Sequence, residues 1–158
     1  MKRRSLIAVS TMCLFDQLIK IIIYKNFMDL RFDLKKMVGF RPHLNTDQLS
    51  IFNNELELKM GLPILIILNI VILAALVVLY IYISKKYSEY PQLITIVDLL
   101  TAGCICSLID KVFWGGSLDY ILFLSQIIDL KDIYLFLGVL LYFVFAVRME
   151  IIKHRTKE

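Results

Sequence analysis

An uninterrupted apolar segment, residues 60–83, constrains the fold of this chain more than any other feature of its sequence. The segment contains no Asp, Glu, Lys or Arg, and as an α-helix it would rise about 36 Å. That length crosses the hydrocarbon core of a bilayer, which is about 30 Å thick, with some tilt. The whole chain agrees, because 59% of its 158 residues are hydrophobic, against about 45–50% in ordinary soluble domains. The sequence therefore predicts an integral membrane protein.

Three further apolar segments, residues 6–24, 92–109 and 132–147, predict additional membrane-spanning helices. The first of them follows a basic N-terminus and therefore imitates a secretory signal peptide. It lacks a cleavage site of small residues, however, and carries Asp16 and Lys20 in its middle, so we interpret it as a retained helix. We treat the whole chain as one membrane domain with four spans.

The distribution of basic residues predicts the orientation of the four spans. With both termini in the cytoplasm, residues 1–5, 84–91 and 148–158 face inward and hold nine Lys and Arg among 24 residues. The outward segments, residues 25–59 and 110–131, hold eight over more than twice that length. Because positively charged loops stay in the cytoplasm, we expect both termini to be cytoplasmic and these two segments to be extracytoplasmic.

The two extracytoplasmic segments contain stretches that are typical of β-strands. Residues 48–60, QLSIFNNELELKM, include an alternation of polar and apolar side chains, and residues 120–128, YILFLSQII, are apolar and β-prone. We therefore expect the two segments to pair into a small sheet on the membrane surface. The predicted fold class is an all-α integral membrane protein, with four transmembrane helices and a small extracytoplasmic sheet.

Ionisable residues inside the predicted spans are candidates for function, because an unpaired charge at the bilayer centre costs at least about 2.5–3.5 kcal/mol. Asp16 and Lys20 are four residues apart and therefore share one helix face, with the acid in the favourable N-terminal position. We interpret them as an ion pair that braces something polar nearby. Asp98, in the third span, has no partner that the sequence identifies, and we assign it no role.

Four carboxylates, those of Asp110, Asp119, Asp129 and Asp132, lie at the extracytoplasmic ends of the third and fourth spans. Such acids are often only solvated helix ends, and Asp132 also suits the first turn of a helix, where the macrodipole favours negative charge. Two facing carboxylates can instead share one proton, since both do not ionise easily at close range. One then activates water as a base, while the protonated one polarises a carbonyl. The residues alone leave both interpretations open.

Several classes of site are disfavoured. Cys13, Cys104 and Cys106 lie within apolar segments, and His43 and His154 are isolated, so neither a disulfide framework nor a zinc site is expected. The net charge of +4 suits basic ends on an anionic membrane surface. The basic residues form no aromatic-lined stripe, so nucleic acid is not an expected partner. We expect no metal and no cofactor.

Four motifs, in order along the chain, resemble those of the lipoprotein signal peptidase family, also called signal peptidase II. The stretch FDQLIK, Phe15–Lys20, resembles the family's D-Q-x-x-K, and HLNT, with Asn45, resembles its L-N motif. Residues 103–121, GCICSLIDKVFWGGSLDYI, resemble G-x-x-x-N-L-I-D-R followed by V-V-D-F-I. Residues 129–138, DLKDIYLFLG, resemble the end of F-N-x-A-D-x-x-I-x-x-G.

The resemblance implies a membrane aspartic endopeptidase, which cleaves the signal peptide of prolipoproteins before a diacylglyceryl-modified cysteine without metal or cofactor. It implies a site at the outer face of the bacterial cytoplasmic membrane, with the small sheet as a cradle for substrate. The implied partners are the lipid-modified prolipoprotein and membrane lipids, and we expect a monomer. The residues implied as catalytic are Asp119 and Asp132, and those implied as supporting the site are Asp16, Lys20, Asn45, Ser107, Asp110 and Lys111.

The sequence departs from the family pattern near the implied site. Ser107 stands where the family has Asn, Lys111 where it has Arg, Asp129 where it has Asn, and Lys131 where it has a small residue. These departures leave open a divergent paralogue that binds lipoprotein precursors without cleaving them, or cleaves few of them. A membrane chaperone or immunity partner is a further alternative to an enzyme.

A small proton-coupled transporter is a third class of function, since it would use ionisable residues within the spans, namely Asp16, Lys20 and Asp98. The acids that match the family lie at one membrane rim rather than along a path across the bilayer. The sequence therefore favours the peptidase over the transporter.

Overall fold

The structure is a computed structural model, and it describes residues 2–34, 37–46, 60–124 and 126–155. Four helices in this part of the chain are long and apolar enough to cross a membrane. The helices are α1 (Arg3–Asn26), α2 (Leu62–Lys86), α3 (Pro91–Ile109) and α4 (Leu130–Arg155), and a π-helical turn, Asp110–Trp114, extends α3. A small four-stranded antiparallel sheet accompanies the helices, so the predicted fold class is confirmed.

The helix ends follow from local sequence. Pro91 is the first residue of α3, where its missing N–H would have no partner in the helix in any case. Lys85 and Lys86 lie in the last turn of α2, where cations interact favourably with the negative end of the helix dipole. The short connection between these two helices makes α2 and α3 antiparallel neighbours.

Helix α3 is the centre of the bundle and packs against each of the other three helices. Its side chains Val97 and Cys106 are almost completely buried. Gly103 permits a close approach to α4, because an added Cβ would lie 2.6 Å from Leu135 Cγ and 3.2 Å from the backbone oxygen of Lys131. This approach brings the beginning of α4 beside the C-terminal half of α3.

The outward faces of the helices are apolar rather than polar. Val78 of α2 and Phe136 of α4 are each about two-thirds exposed, at 66% and 67%, and many Leu, Ile and Val side chains accompany them. A bundle that exposes continuous apolar surface is stable when lipid rather than water surrounds it. The packing therefore agrees with the membrane class that the sequence predicts.

The sheet lies at the end of the bundle where α1 and α3 finish and α4 begins. Its strands are β1 (Phe32–Leu34), β2 (Val38–Asn45), β3 (Ser117–Phe123) and β4 (Gln126–Ile128), in that spatial order. The two segments predicted to be extracytoplasmic therefore do pair with each other, through β2 and β3. The predicted strand at residues 48–60 falls, apart from its last residue, outside the described part of the chain.

The pairing of β2 with β3 aligns polar residues near one end of the sheet. Asn45 lies opposite Ser117 and His43 opposite Asp119, and the register shifts between Phe40 and His43. Pro42 lies within the shifted segment, where the absence of a backbone N–H does not break the hydrogen-bonded ladder. The register thus places Asp119 at the end of the sheet that is nearer to the helices.

A glycine pair turns the chain from α3 into β3. Gly115 has a φ of +66°, a conformation that disfavours side chains. A Cβ on Gly116 would overlap the backbone oxygen of Asn45 and lie 2.9 Å from its carbonyl carbon. The turn therefore depends on close contact between two backbones, and it directs β3 back across the helix ends.

We predict that Gly116→Ala lowers the free energy of unfolding by about 1–3 kcal/mol, because overpacking against a backbone forces the strands apart. Gly61→Ala is the matched control, since among the described residues its Cβ would meet only Pro63 Cδ, at 3.7 Å, an ordinary contact. Thermal unfolding in detergent measures both variants. Equal unfolding temperatures for the two variants would contradict the proposed close contact.

Candidate active site

Helix α1 contributes a buried ion pair to the sheet end of the bundle. Lys20 Nζ lies 3.0 Å from Asp16 Oδ2, and both side chains are completely buried. The pair forms because residues four apart lie on the same helix face. The structure thus brings together the two residues that the sequence predicted as partners.

The Lys20 ammonium has two further carboxylate partners. It lies 2.6 Å from Asp110 Oδ2 at the start of the π-helical turn, and 2.7 Å from Asp129 Oδ2 just before α4. A buried charge is tolerated only with close and complete pairing. The ion pair of α1 is therefore part of a larger assembly that joins three separate parts of the chain.

A second buried ammonium, that of Lys131, lies in the same assembly. It forms an ion pair with Asp129, and its Nζ lies 3.3 Å from Asp110 Oδ2. It is also 3.7 Å from Asp119 Oδ1 and 4.0 Å from Asp132 Oδ1. We call the whole assembly the carboxylate cluster; its members are Asp16, Asp110, Asp119, Asp129 and Asp132, with the ammonium groups of Lys20 and Lys131.

The Ser117 hydroxyl connects the lysine to Asp119. It accepts a hydrogen bond from Lys131 Nζ at 2.6 Å and donates to Asp119 Oδ1 at 2.6 Å. Asn45 Nδ2 donates to the other oxygen of Asp119, Oδ2, at 3.4 Å. Sequence reasoning missed Ser117, and the available signal was its position two residues before Asp119, on the same face of a strand.

Helix capping positions Asp132. Its backbone N–H donates to Asp129 Oδ1 at 3.1 Å, and the Asp129 N–H donates to Asp132 Oδ2 at 3.1 Å. This reciprocal arrangement is a capping box, in which two side chains satisfy backbone donors that the first helical turn leaves without partners. The cap therefore fixes the side chain of Asp132 in the first turn of α4. This side chain is 36% exposed.

The two carboxylates that the resemblance implied as catalytic lie close together. Oxygen atoms of Asp119, Asp129 and Asp132 all lie within 4.8 Å of one another. Carboxylates interact strongly over this range, which favours a single proton shared within a pair. Asp119 comes from β3 and Asp132 from α4, so only the folded chain brings them together.

Burial and ion pairing affect these acids differently. Burial raises the pKa of Asp119, although the Lys131 ammonium and the hydrogen bond from Ser117 oppose the rise. Burial also disfavours the charge of Asp129, but the attraction of Lys131 and Lys20 outweighs it and lowers that pKa to about 2. Asp129 therefore loses its proton at a lower pH than an ordinary carboxyl group, whereas Asp119 holds a proton to a higher pH.

Two predicted supporting residues pair with each other rather than with the carboxylates. Lys111 Nζ donates to Ser107 Oγ at 2.5 Å and approaches the Ser107 carbonyl oxygen at 3.4 Å. Within the described ranges, no carboxylate oxygen lies within 4.0 Å of Lys111. Two of the four departures from the family pattern thus fall in one hydrogen-bonded pair beside the cluster.

Gln17 is a polar member of the site that sequence reasoning did not single out, although it lies within FDQLIK. Its Nε2 donates to Asp16 Oδ2 and to Asp110 Oδ1, each at 3.0 Å. Its Oε1 accepts a hydrogen bond from Trp114 Nε1 at 3.2 Å, and the Trp114 ring meets Tyr24 edge-on at 5.1 Å. Trp114 therefore connects the π-helical turn to α1.

The acids of the cluster have the geometry of a possible cation site. Asp119, Asp129 and Asp132 could each offer one oxygen to the same ion. The Lys131 ammonium already lies within 4.0 Å of all three carboxylates. A cation that belongs to the protein itself thus occupies the neighbourhood that a metal ion would use.

Four apolar helices, a small sheet and a buried carboxylate cluster at one end define a membrane protein with an enzyme-like polar site. The chain belongs to the signal peptidase II family, because the family model described as "Signal peptidase (SPase) II" matches residues 8–148. Membership of this family supports a protease that takes part in lipoprotein processing and spans a bacterial membrane several times. No curated protein matches the chain.

Two solved structures are similar to this chain, and each is described as a bacterial membrane enzyme determined by the in meso method. The one at 2.3 Å resolution has a TM-score of 0.75 and 23% identity, over 94% of this chain and 90% of that chain. The one at 1.9 Å resolution has a TM-score of 0.74 and 23% identity, over 92% and 94% respectively. At this identity the likeness supports the fold alone.

We predict that Lys20→Met destabilises the protein by about 3–5 kcal/mol, because removing one partner leaves buried carboxylates without their counter-charge. Lys25→Met is the control, at an exposed position in the last turn of the same helix, and should change stability by less than about 0.5 kcal/mol. Thermal unfolding in detergent distinguishes the two. Similar unfolding temperatures would show that Lys20 does not hold the cluster together.

A second prediction concerns the pH dependence of stability. Because the pKa of Asp119 is raised on folding, the folded protein retains this proton to a higher pH than the unfolded chain does. The contribution of Asp119 to the free energy of unfolding therefore falls as the pH rises from an ordinary carboxyl pKa, about 3.9, through the raised pKa of Asp119 in the folded chain. The unfolding temperature of Asp119→Asn, relative to the native chain, should increase across that window.

The control for this pH series is Asp29→Asn, since Asp29 is exposed. It should follow the native chain at every pH. A difference between Asp119→Asn and the native chain that stays constant with pH would contradict the predicted proton binding at Asp119.

Proposed function

We propose that this chain is a membrane aspartic endopeptidase that removes the signal peptide of prolipoproteins before a diacylglyceryl-modified cysteine. The observation that carries the proposal is the proximity of the Asp119 and Asp132 carboxylates, within 4.8 Å, at the end of an apolar helix bundle. Membership of the signal peptidase II family supports the same substrate class. Asp119 and Asp132 are the catalytic pair of this proposal.

The proposed reaction uses one proton shared by the pair. The ionised carboxylate removes a proton from a water molecule as its oxygen attacks the scissile carbonyl carbon, while the protonated carboxyl polarises the carbonyl oxygen. The C–N bond then breaks, and the departing amine takes a proton from the pair. The side chain of Asp132 is 36% exposed, compared with 10% for Asp119, so water reaches the pair from the Asp132 side.

The position of the site suits a lipid-anchored substrate. Acyl chains partition into a bilayer at about 0.8 kcal/mol per buried CH₂ group, which confines the bond beside the lipidated cysteine to the headgroup depth. Phe113, in the π-helical turn that begins with Asp110, is 80% exposed and offers an apolar surface at the sheet end of the bundle. Substrate chains would lie against such surfaces while the polar end admits water.

The proposed orientation places the carboxylate cluster at the outer face of the bacterial cytoplasmic membrane. Arg3, Lys85 and Lys86 lie at the opposite end of the bundle from the sheet, and basic residues favour the cytoplasmic side. Both chain termini would then be cytoplasmic, and the β-sheet would receive substrate as an extracytoplasmic cradle. The enzyme acts as a monomer surrounded by lipid.

A second candidate function is a binding protein for lipoprotein precursors that does not cleave them. The observation that favours it is the Lys131 ammonium, within 4.0 Å of both Asp119 and Asp132. A fixed cation favours two ionised carboxylates and so disfavours the shared proton. Such a protein would retain a lipidated precursor in detergent without shortening it.

We predict that Asp119→Asn and Asp132→Asn each reduce the rate of cleavage by about 10²–10⁴-fold, the usual contribution of a general acid or base. The measurement is a gel-shift assay with a lipid-modified prolipoprotein and purified protein in detergent. Asp29→Asn, at an exposed position, is the matched control and should cleave at the native rate.

Undiminished cleavage by either variant would remove that carboxylate from the catalytic pair. Retention of the precursor without cleavage by the native chain, at every pH tested, would favour the binding protein over the peptidase.

A further inference from the structure

Lys131 occupies an unusual place for a lysine, since the residue is almost fully buried, at 7% exposure, in the first turn of α4. It immediately precedes Asp132 in α4. Its ammonium is held on one side by an ion pair with Asp129 and on the other by the Ser117 hydroxyl at 2.6 Å. These two partners fix a positive charge beside the proposed catalytic pair.

The two lysines of the carboxylate cluster have different partners. Lys20 forms ion pairs with Asp16, Asp110 and Asp129. Lys131 alone, among the lysines and arginines that the structure describes, lies within 4.0 Å of both Asp119 and Asp132. The charge of Lys20 therefore holds the helices together, whereas the charge of Lys131 acts directly on the catalytic pair.

The contact between Lys131 and Ser117 also resembles the contact between a serine nucleophile and a lysine that acts as its base. A lysine that activates a serine must be neutral to accept its proton. The Lys131 ammonium is paired with four carboxylates, those of Asp110, Asp119, Asp129 and Asp132. An ammonium in these surroundings keeps its proton, so it donates to Ser117 and does not activate it.

We propose, on the basis of the proposed peptidase function, that Lys131 is a positioning residue whose ammonium sets the pH range in which Asp119 and Asp132 together hold one proton. A positive charge within about 4–6 Å favours ionised carboxylates. The shared proton is therefore lost at a lower pH than it would be without Lys131. Cleavage is confined to more acidic conditions than the pair alone would require.

Other charges around the pair act in both directions. Asp129 opposes Lys131, because its carboxylate favours retention of the shared proton. Lys20 acts less directly on the pair, because the ion pairs of its ammonium are with Asp16, Asp110 and Asp129. The charged groups that face Lys131 and the pair are Asp16 and Lys20 from α1, Asp110 and Lys111 from the π-helical turn, Asp119 from β3, Asp129 from the loop before α4, and Asp132 from α4 itself.

The test is the pH profile of cleavage for four chains: native, Lys131→Met, Asp129→Asn and the double variant. Methionine is an unbranched side chain one atom shorter than lysine, and it carries no charge. We expect the alkaline limit of cleavage to rise by about 1–3 pH units in Lys131→Met, the size of shift that a neighbouring opposite charge produces in a carboxyl group. Asp129→Asn should move the limit in the opposite direction, and the double variant should lie between the two.

Two controls separate the charge of Lys131 from its packing. Lys131→Arg retains the positive charge and should keep the native alkaline limit. Lys85→Met removes an exposed lysine from the last turn of α2 and should also leave the profile unchanged. The double variant removes one charge of each sign from the buried cluster, so it folds more readily than Lys131→Met if the single variant proves unstable.

A second readout distinguishes failure of this inference from failure of the proposed function. Carbon-13 NMR of the Asp119 carboxyl group, followed against pH, reports its titration whether or not the chain cleaves. A higher midpoint in Lys131→Met supports the inference, and an unchanged midpoint overturns it. Absence of cleavage by every chain at every pH overturns the peptidase function separately.

Discussion

The Lys20 ammonium is the interaction on which the arrangement of the site depends, because carboxylates from three separate parts of the chain share it. Asp16 belongs to α1, Asp110 begins the π-helical turn after α3, and Asp129 precedes α4. In an apolar bundle, a buried ammonium loses several kcal/mol of hydration, which only close partners offset. The three chain segments are therefore held at one point, and that point is where β3 and α4 place Asp119 and Asp132.

A different local structure places each proposed catalytic acid in the cluster. Asp119 is placed by the glycine turn after α3 and by the pairing of β3 with β2, and Asp132 is placed by its reciprocal cap with Asp129. The local structure that places Asp119 makes no use of Asp132, and the cap that places Asp132 makes no use of Asp119. Their proximity depends on the ion pairs of Lys20, which hold the helices, and on those of Lys131, whose charge is proposed to act on the proton that the two acids share. Stability and the proposed chemistry are thus two results of one network.

Much of the fold, and part of the site, can be predicted from the sequence. The four spans follow from apolar segments whose length matches a bilayer, and the pairing of Asp16 with Lys20 follows from helical periodicity. Asp119 and Asp132 were identified through the family motifs, not through spacing. The resemblance implies that Ser107 and Lys111 support the site, and in the structure they are hydrogen-bonded to each other beside the cluster. Ser117, Gln17 and the central position of Lys131 were missed, because a polar residue beside an acid motif has no distinctive pattern of its own.

The sequence alone determined the class of protein, the number of helices and the acids that the motifs mark, because hydrophobicity and helical spacing are local properties. Only the tertiary structure decided which charges meet. Lys131 departs from its family pattern, and in the sequence it is merely a lysine next to an aspartate; in the folded chain its ammonium contacts acids from the π-helical turn, β3 and α4. Electrostatic interaction depends on distance and burial, and for groups far apart in sequence both are properties of packing.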